Sequence, residues 1–270
     1  MRYLRLLALL LKHLTGRSIG HIDNFVEWEG MYQDVLRKEL FLKKIKGALF
    51  SNSSPRINIV QVGANDGKTN DPIYDFVLEN KENTNIILVE PTKQVIPYLR
   101  KNYSFHGFAE IVNKAIGFDN ESSLELYGLK EEYWKYVDDQ YNKDWPDYRA
   151  PTGIVSSDRE YVRKWISENV TLKKSEDDML MTFRVGSVSP KQILRQSHIM
   201  DSVDILQVDV EGMDDSVVYS FFRNSVYPSI INIEKNHLSN EREEKYDMRL
   251  ESKGYQIFDY SDREKLGVMI

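Results

Sequence analysis

Several short segments of this chain carry residue types that could do chemistry. Gln61-Val62-Gly63-Ala64-Asn65-Asp66-Gly67 follows an apolar run. Glycine there permits a tight turn and lets backbone approach a ligand closely. The spacing is not the dinucleotide G-x-G-x-x-G, and an ordinary strand-to-helix turn remains open. Glu90-Pro91 follows a second apolar run. Glu90 stands about 20 residues beyond the glycine loop, the interval at which an acid accepts both hydroxyls of a ribose. Loop and acid together describe one nucleoside-shaped site. Asn113 follows a third run and offers an amide to an adenine edge, with a plain turn as the alternative. Asp209-Val210-Glu211-Gly212 and Glu234-Lys235-Asn236-His237 follow two more runs. They bring carboxylates, an amide and an imidazole to one region. A hydroxyl acceptor needs a base, and His titrates nearest neutrality. His237 and Asp209 are the candidates for that base, and Glu211 and Glu234 could orient an acceptor. Oxygen ligands with an amide also suit Mg2+ through Asp209, Glu234 and Asn236, but a metal is not favoured. Buried hydrogen-bonded acids and helix caps are the plain alternatives.

These residues converge only if particular elements carry them. Ile57–Val62, Ile86–Val89, Ala109–Val112, Ile205–Val210 and Ser229–Ile233 read as strands apolar on both faces. Ser123–Leu126 could add another strand, and Tyr255–Asp259 with Leu266–Ile270 a closing hairpin. Helices are expected at Pro72–Leu78 with Asp71 as cap, at Val95–Asn102, through Val217, Val218 and Phe221, and at Glu241–Lys253 with Gly254 as a left-handed cap. Such alternation makes a mostly parallel sheet covered on both faces, with right-handed crossovers. Ligands then bind beyond the carboxyl ends of the strands, where all five segments stand.

The chain has 270 residues, 41% of them hydrophobic, so it can bury a substantial core. It contains no Cys, which excludes disulfides, Cys-ligated zinc and a Cys nucleophile. A net charge of −6 argues against a nucleic-acid partner. Residues 1–50 read as a helical extension, bounded by the breaker cluster Ser51-Asn52-Ser53-Ser54-Pro55. The main domain is expected over 51–270. The leucine-rich stretch near the start lacks a cleavage site of signal-peptide type. Its flanking Arg2, Arg5, Lys12 and Arg17 leave open peripheral membrane contact through residues 2–17, beside a docking-helix role. Residues 127–152 are rich in Tyr, Trp and Asp and match no motif. An inserted region over 127–167 is therefore expected, serving as an acceptor lid, a contact between copies, or simple packing.

Gln61-Val62-Gly63-Ala64-Asn65-Asp66-Gly67, Val89-Glu90-Pro91, Asn113-Lys114-Ala115-Ile116-Gly117, Asp209-Val210-Glu211-Gly212 and Ile233-Glu234, in this order, resemble the FkbM-type S-adenosylmethionine-dependent methyltransferases. Ser156-Ser157, before a helical stretch over Asp158–Ile166, adds to the likeness, which runs from about residue 57 to 260. The resemblance implies a class I methyltransferase-like, doubly wound, seven-stranded α/β fold. It implies O-methylation of a sugar, glycan or natural-product hydroxyl. By that analogy Gly63, Ala64, Asn65 and Gly67 line the methionine end of S-adenosylmethionine, Glu90 holds the ribose, Asn113 lies near the adenine, and Asp209 lies near the sulfonium. Gln61 stands where the wider class carries an acid that holds the cofactor's amino group. A cytoplasmic enzyme, with a homo-oligomer left open, fits this reading. A non-catalytic binding module on the same fold and a NAD-dependent oxidoreductase are the alternatives.

Overall fold

The computed structural model describes residues 56–117, 122–138, 145–197, 202–259 and 263–269. The expected helical extension over 1–50, the segment 2–17 within it and the start of the main domain lie outside these residues.

One sheet positions the site. Its strands are Ile57–Val62 (β1), Thr84–Val89 (β2), Ala109–Val112 (β3), Ile205–Val208 (β7), Ile230–Glu234 (β8), Tyr255–Asp259 (β9) and Glu264–Met269 (β10). They lie in the order β3-β2-β1-β7-β8-β10-β9. All neighbours pair in parallel except β10, which runs antiparallel to both β8 and β9. This is the expected seven-stranded, doubly wound arrangement. The chain leaves β1 toward β2 and β3 on one side and later returns to β7 on the other. The crevice between β1 and β7 is therefore the topological switch point at which such sheets bind ligands.

The strands are apolar on both faces because both faces are covered. In β1, Ile57 and Ile59 pack against Phe76 of helix α1 (Tyr74–Glu79) and Leu99 of α2 (Ile96–Asn102). Val60 and Val62 join the opposite core, with Val218 and Phe221 of Asp214–Arg223 and Tyr246 and Leu250 of Asn240–Glu251. The strand period of two makes this partition. Each such side chain contributes about 1.5–3 kcal/mol on full burial.

Local chemistry moves some boundaries. Asp71 was expected to cap a helix beginning at Pro72. Its Oδ1 instead accepts from the amides of Ile73 (2.9 Å) and Tyr74 (2.8 Å), closing a side-chain turn, and α1 begins at Tyr74. Ser239 caps the helix over Asn240–Glu251 by accepting from Arg242 N. Gly254 adopts the expected left-handed conformation at φ +87°. The closing hairpin is present, but its second strand sits inside the sheet, between β8 and β9.

Ala115–Ile116 (β4), Ser123–Leu129 (β5) and Leu180–Val188 (β6) form a second sheet in the order β4-β6-β5, which the sequence reading did not anticipate. Helices α3 (Arg149–Gly153), α4 (Arg159–Asn169) and α5 (Glu176–Met179) lie between β5 and β6. They share a separate core of Leu129, Tyr133, Val162, Trp165 and Met179. Helix α6 (Pro190–Gln196), opened by a Ser189–Gln192 capping box, leads back to the main sheet. The helices over Asp214–Arg223 and Asn240–Glu251 are α7 and α8. Among the described residues no helix is long and apolar enough to cross a membrane.

Candidate active site

The strand tips are locked to one another before any side chain is considered. Gly63 N donates to Val89 O (2.9 Å), Glu90 N to Val112 O (3.0 Å) and Asp209 N to Val62 O (3.0 Å). Gly63 has φ +78°, and a Cβ on it would lie 1.7 Å from the carbonyl oxygen of Asp209. Only glycine allows the two loops to meet there.

Above these tips opens a cleft enclosing about 760 Å³, part of it open to solvent. Its floor holds Val62, Gly63, Asn65, Glu90 and Asp209, and the β4–β5 side supplies Ile116, Leu124 and Leu126. Its roof is the segment from Arg149 to Ser157, which falls within the region 127–167 expected as an insertion, with a lid among its possible roles.

Glu90 is buried on this floor, 4% exposed. Its Oε2 accepts from Asn65 N (2.8 Å) and its Oε1 from Thr92 N (2.7 Å). Burial pushes its pKa up, against these two backbone hydrogen bonds. Asn65 sits at φ +47°, and its side chain bonds Thr152 of the roof, Nδ2 to Oγ1 at 3.1 Å.

Beyond Asp209 the acids gather. Burial, then Glu234, Glu211 and Asp214, hold the Asp209 carboxyl well above the usual range. Glu211, at φ +54°, accepts at Oε2 from Tyr161 OH (2.6 Å) and pairs with His237 Nε2 (3.1 Å). His237 Nε2 also lies 3.7 Å from Glu234 Oε2. The hydrogen bond to Glu211 outweighs burial and raises the His237 pKa. Burial and Glu211 raise Glu234, while His237 and a hydrogen bond with Asp209 lower it. Buried Asp214 is pushed up to about 8, first by desolvation and then by Glu234.

The placement of the remaining sequence candidates corrects the expectation at several positions. Gln61 is buried on the α1 side of β1 and does not line the cleft; its Nε2 donates to Asp71 Oδ2. Strand alternation, which turns Gln61 to the same face as Ile59, is the reason. Ala64 packs in the α1–α2 core. Gly67 faces Leu99 and Tyr103, where a Cβ would lie 2.6 Å from either side chain, so it serves helix packing. Asn113 is not part of the lining. Its Nδ2 donates to the carbonyls of Glu90 (2.8 Å) and Pro91 (3.0 Å), which fixes the exit of β2. Glu234 and His237 stand behind Glu211, outside the lining.

The cation question also changes residues. Glu211, Glu234 and His237 offer ligand atoms all within 4.8 Å of one another. Asn236 instead donates its amide to Glu234 Oε1 (3.0 Å). Several aromatics of the inserted region, among them Tyr133, Trp134, Tyr136 and Trp145, pack in its own core. Tyr148 differs, stacking on Tyr98 at 3.8 Å between ring centroids. Tyr141, Asp139 and Asp144 lie outside the described residues. Arg149, Thr152 and Tyr161 were missed. Arg149 carried one signal: it is the only arginine between Arg100 and Arg159.

No family model matches the chain, and no curated protein matches it. Solved structures show a low-level likeness. The fibrillarin pre-rRNA processing protein of Methanococcus jannaschii is 11% identical at TM-score 0.37, over 80% of this chain and 67% of that one. A precorrin-6y C5,15-methyltransferase from Geobacter metallireducens is 9% identical at 0.36, over 80% and 81%. A putative caffeoyl-CoA O-methyltransferase from Staphylococcus aureus is 11% identical at 0.38, over 100% of both chains. Likeness at this level says nothing about activity; the fold rests on the strand order.

Proposed function

We propose that this protein is an S-adenosylmethionine-dependent methyltransferase of FkbM type, acting on a hydroxyl of a sugar, glycan or natural product. The observation that carries the reading is Glu90. It is a buried carboxylate held by two backbone amides on the floor of a cleft at the switch point. A nucleoside's ribose needs an acceptor pair so placed.

The rest of the cleft fits the same group. Glu90, Asp209 and Glu211 of its lining are acidic, and Arg149 and Lys114 are basic. That set suits a ligand carrying hydroxyls, a cationic centre and one carboxylate. When bound, S-adenosylmethionine supplies an electrophilic methyl on a sulfonium, whose positive charge favours ionised carboxylates nearby.

This chain's own residues then have distinct tasks. Asp209 lines the cleft and takes the proton of the acceptor hydroxyl; general-base catalysis of this kind is worth about 10²–10⁴-fold. Glu211 and Glu234 hold His237 as a cation, which tempers the repulsion around Asp209. Tyr161, bonded to Glu211, fixes that carboxylate's direction. The locked strand tips hold these groups rigidly, and orientation of reactants can supply about 7–11 kcal/mol.

The test is thermal unfolding with S-adenosylmethionine, S-adenosylhomocysteine and NAD in parallel, with Glu90→Ala as control. Ligand at about 100 times its dissociation constant adds about 2.7 kcal/mol, roughly 5–10 °C at this size. A shift with both sulfur nucleosides, absent with NAD and lost in Glu90→Ala, is expected. No shift with either would turn the reading toward a binding module without catalysis.

A further inference from the structure

Arg149 is a charged side chain on the roof of the cleft. Its Nε donates to Thr69 O at 3.1 Å, in the loop that follows β1. Its Cζ lies 5.3 Å from the ring centroid of Trp145. Among the described residues no carboxylate stands within ion-pair distance of it, although its charge reaches Asp71, Glu90 and Asp209, where burial raises the pKa and Arg149 works weakly against that rise. The guanidinium thus keeps its two terminal nitrogens for another partner.

Its position is set from several sides. Thr152, three residues further along the same short helix, bonds Asn65. Tyr148 OH donates to Asp66 Oδ2 at 3.1 Å, and the Tyr148 ring stacks on Tyr98. Gly153 leaves the room the guanidinium fills, because a Cβ there would lie 2.4 Å from Arg149 Nη1. Lys114 also lines the cleft, but Arg149 is the cation anchored over the β1 loop, opposite the acids of the floor, and is built to receive an anion. A guanidinium presents paired N–H groups that match a carboxylate.

We propose that Arg149 binds the carboxylate at the amino-acid end of the cofactor, and so selects an intact aminoacyl nucleoside over the bare nucleoside. This rests on the reading of the cleft as an S-adenosylmethionine site. Glu90 and Arg149 then define its two ends: ribose on the β2 tip, carboxylate over the loop after β1.

The experiment is calorimetric titration of the purified protein with S-adenosylhomocysteine and with 5′-methylthioadenosine, which has the nucleoside and sulfur but no amino-acid end. Wild type, Arg149→Gln, Arg149→Lys and Gly153→Ala are compared. Arg149→Gln is expected to weaken S-adenosylhomocysteine by about 10- to 100-fold, the range of a charge-assisted hydrogen-bond pair. Its affinity for 5′-methylthioadenosine stays at the wild-type value, which also certifies that the variant folds. Arg149→Lys keeps charge without the fork and falls between. Gly153→Ala displaces the guanidinium and weakens S-adenosylhomocysteine alone.

A parallel loss for both ligands overturns the proposal and makes Arg149 a structural tie between roof and loop. Unchanged affinity for both overturns it as well, and a raised acceptor KM in that variant would assign the guanidinium to an anionic acceptor. Wild-type protein that binds neither ligand sinks the cofactor reading itself, and the proposal with it. Binding of 5′-methylthioadenosine alone by the wild type overturns only the carboxylate site.

Discussion

At the residue scale, the geometry separates Asp209 from His237 as candidates for the proposed base, which their residue types alone left undivided. Asp209 lines the cleft, and His237 sits behind Glu211 as its ion-pair partner. Asp209→Asn is therefore expected to cut kcat by about 10²–10⁴-fold with the S-adenosylhomocysteine dissociation constant unchanged; equal loss of both would show a binding role instead. The pH profile adds a sign. Asp209 must be ionised to accept a proton, and its pKa is raised, so the rate should climb with pH through a limb above the ordinary carboxylate range. His237→Ala removes a positive charge from the acid cluster, so that limb moves to higher pH and turnover falls at neutrality while cofactor affinity holds. An unmoved limb would take His237 out of the reaction. Glu211, Glu234 and His237 could also gather round a divalent ion. Full activity in excess EDTA is the expected result, because the imidazole already neutralises part of the cluster. Activity lost to EDTA and restored by Mg2+ would place a cation there.

At the element scale, what was legible depended on how each strand is buried. β1, β2 and β8 lie between two layers and read as continuous apolar runs, so the strand tips and the residues just after them could be located in advance. β6 could not. Its sequence LMTFRVGSV is half exposed, with Thr182, Arg184 and Gly186 interrupting the pattern, and only its pairing with β5 reveals it. Glu90 was legible because it follows an apolar run at a telling interval. Arg149 was not, since nothing in Trp145-Pro146-Asp147-Tyr148-Arg149 says that the short helix it opens folds back over the β1 loop. Ala64 and Gly67 turn away from the cleft for a related reason: a loop motif names residues, whereas the turn decides which of them face it. The contact between the β1 and β7 loops makes a sharp prediction. Gly63→Ala should fold poorly or not at all, because the added carbon meets backbone at 1.7 Å and φ is +78°; a variant as stable as wild type in urea would mean the loops can part. In β10, Lys265 is 1% exposed and bonds Asp247 at 2.6 and 2.7 Å and Glu243 at 2.8 Å. Burial lowers its pKa, but these acids outweigh it and hold the ammonium charged. Asp247→Ala should cost about 1–3 kcal/mol, the range for leaving a buried donor short of partners, read as a lower urea midpoint.

At the scale of the whole molecule, buried Asp214 adds a pH dependence to stability. Asp214 has a folded pKa of about 8, against about 3.9 when unfolded. Below the lower value both states are protonated. Between the two, the unfolded chain releases its proton while the folded one keeps it, so stability falls as pH rises. Asp214→Asn should flatten the unfolding midpoint between pH 4 and 8 relative to wild type. An identical slope in the variant would mean that other groups carry the dependence.

The placement of β10 has a consequence for how the protein comes into being. Residues 264–269 are made after the other strands of the main sheet, yet they take a seat between β8 and β9. Until they leave the ribosome, β8 shows a bare row of amides and carbonyls, and β9 has no neighbour in the sheet. Nascent or truncated chains ending before residue 264 should therefore carry an open edge of the kind that recruits other strands. Recognition of that edge by a chaperone or protease would make arrival of the inserted strand the step at which a newly made molecule ceases to be a substrate for triage.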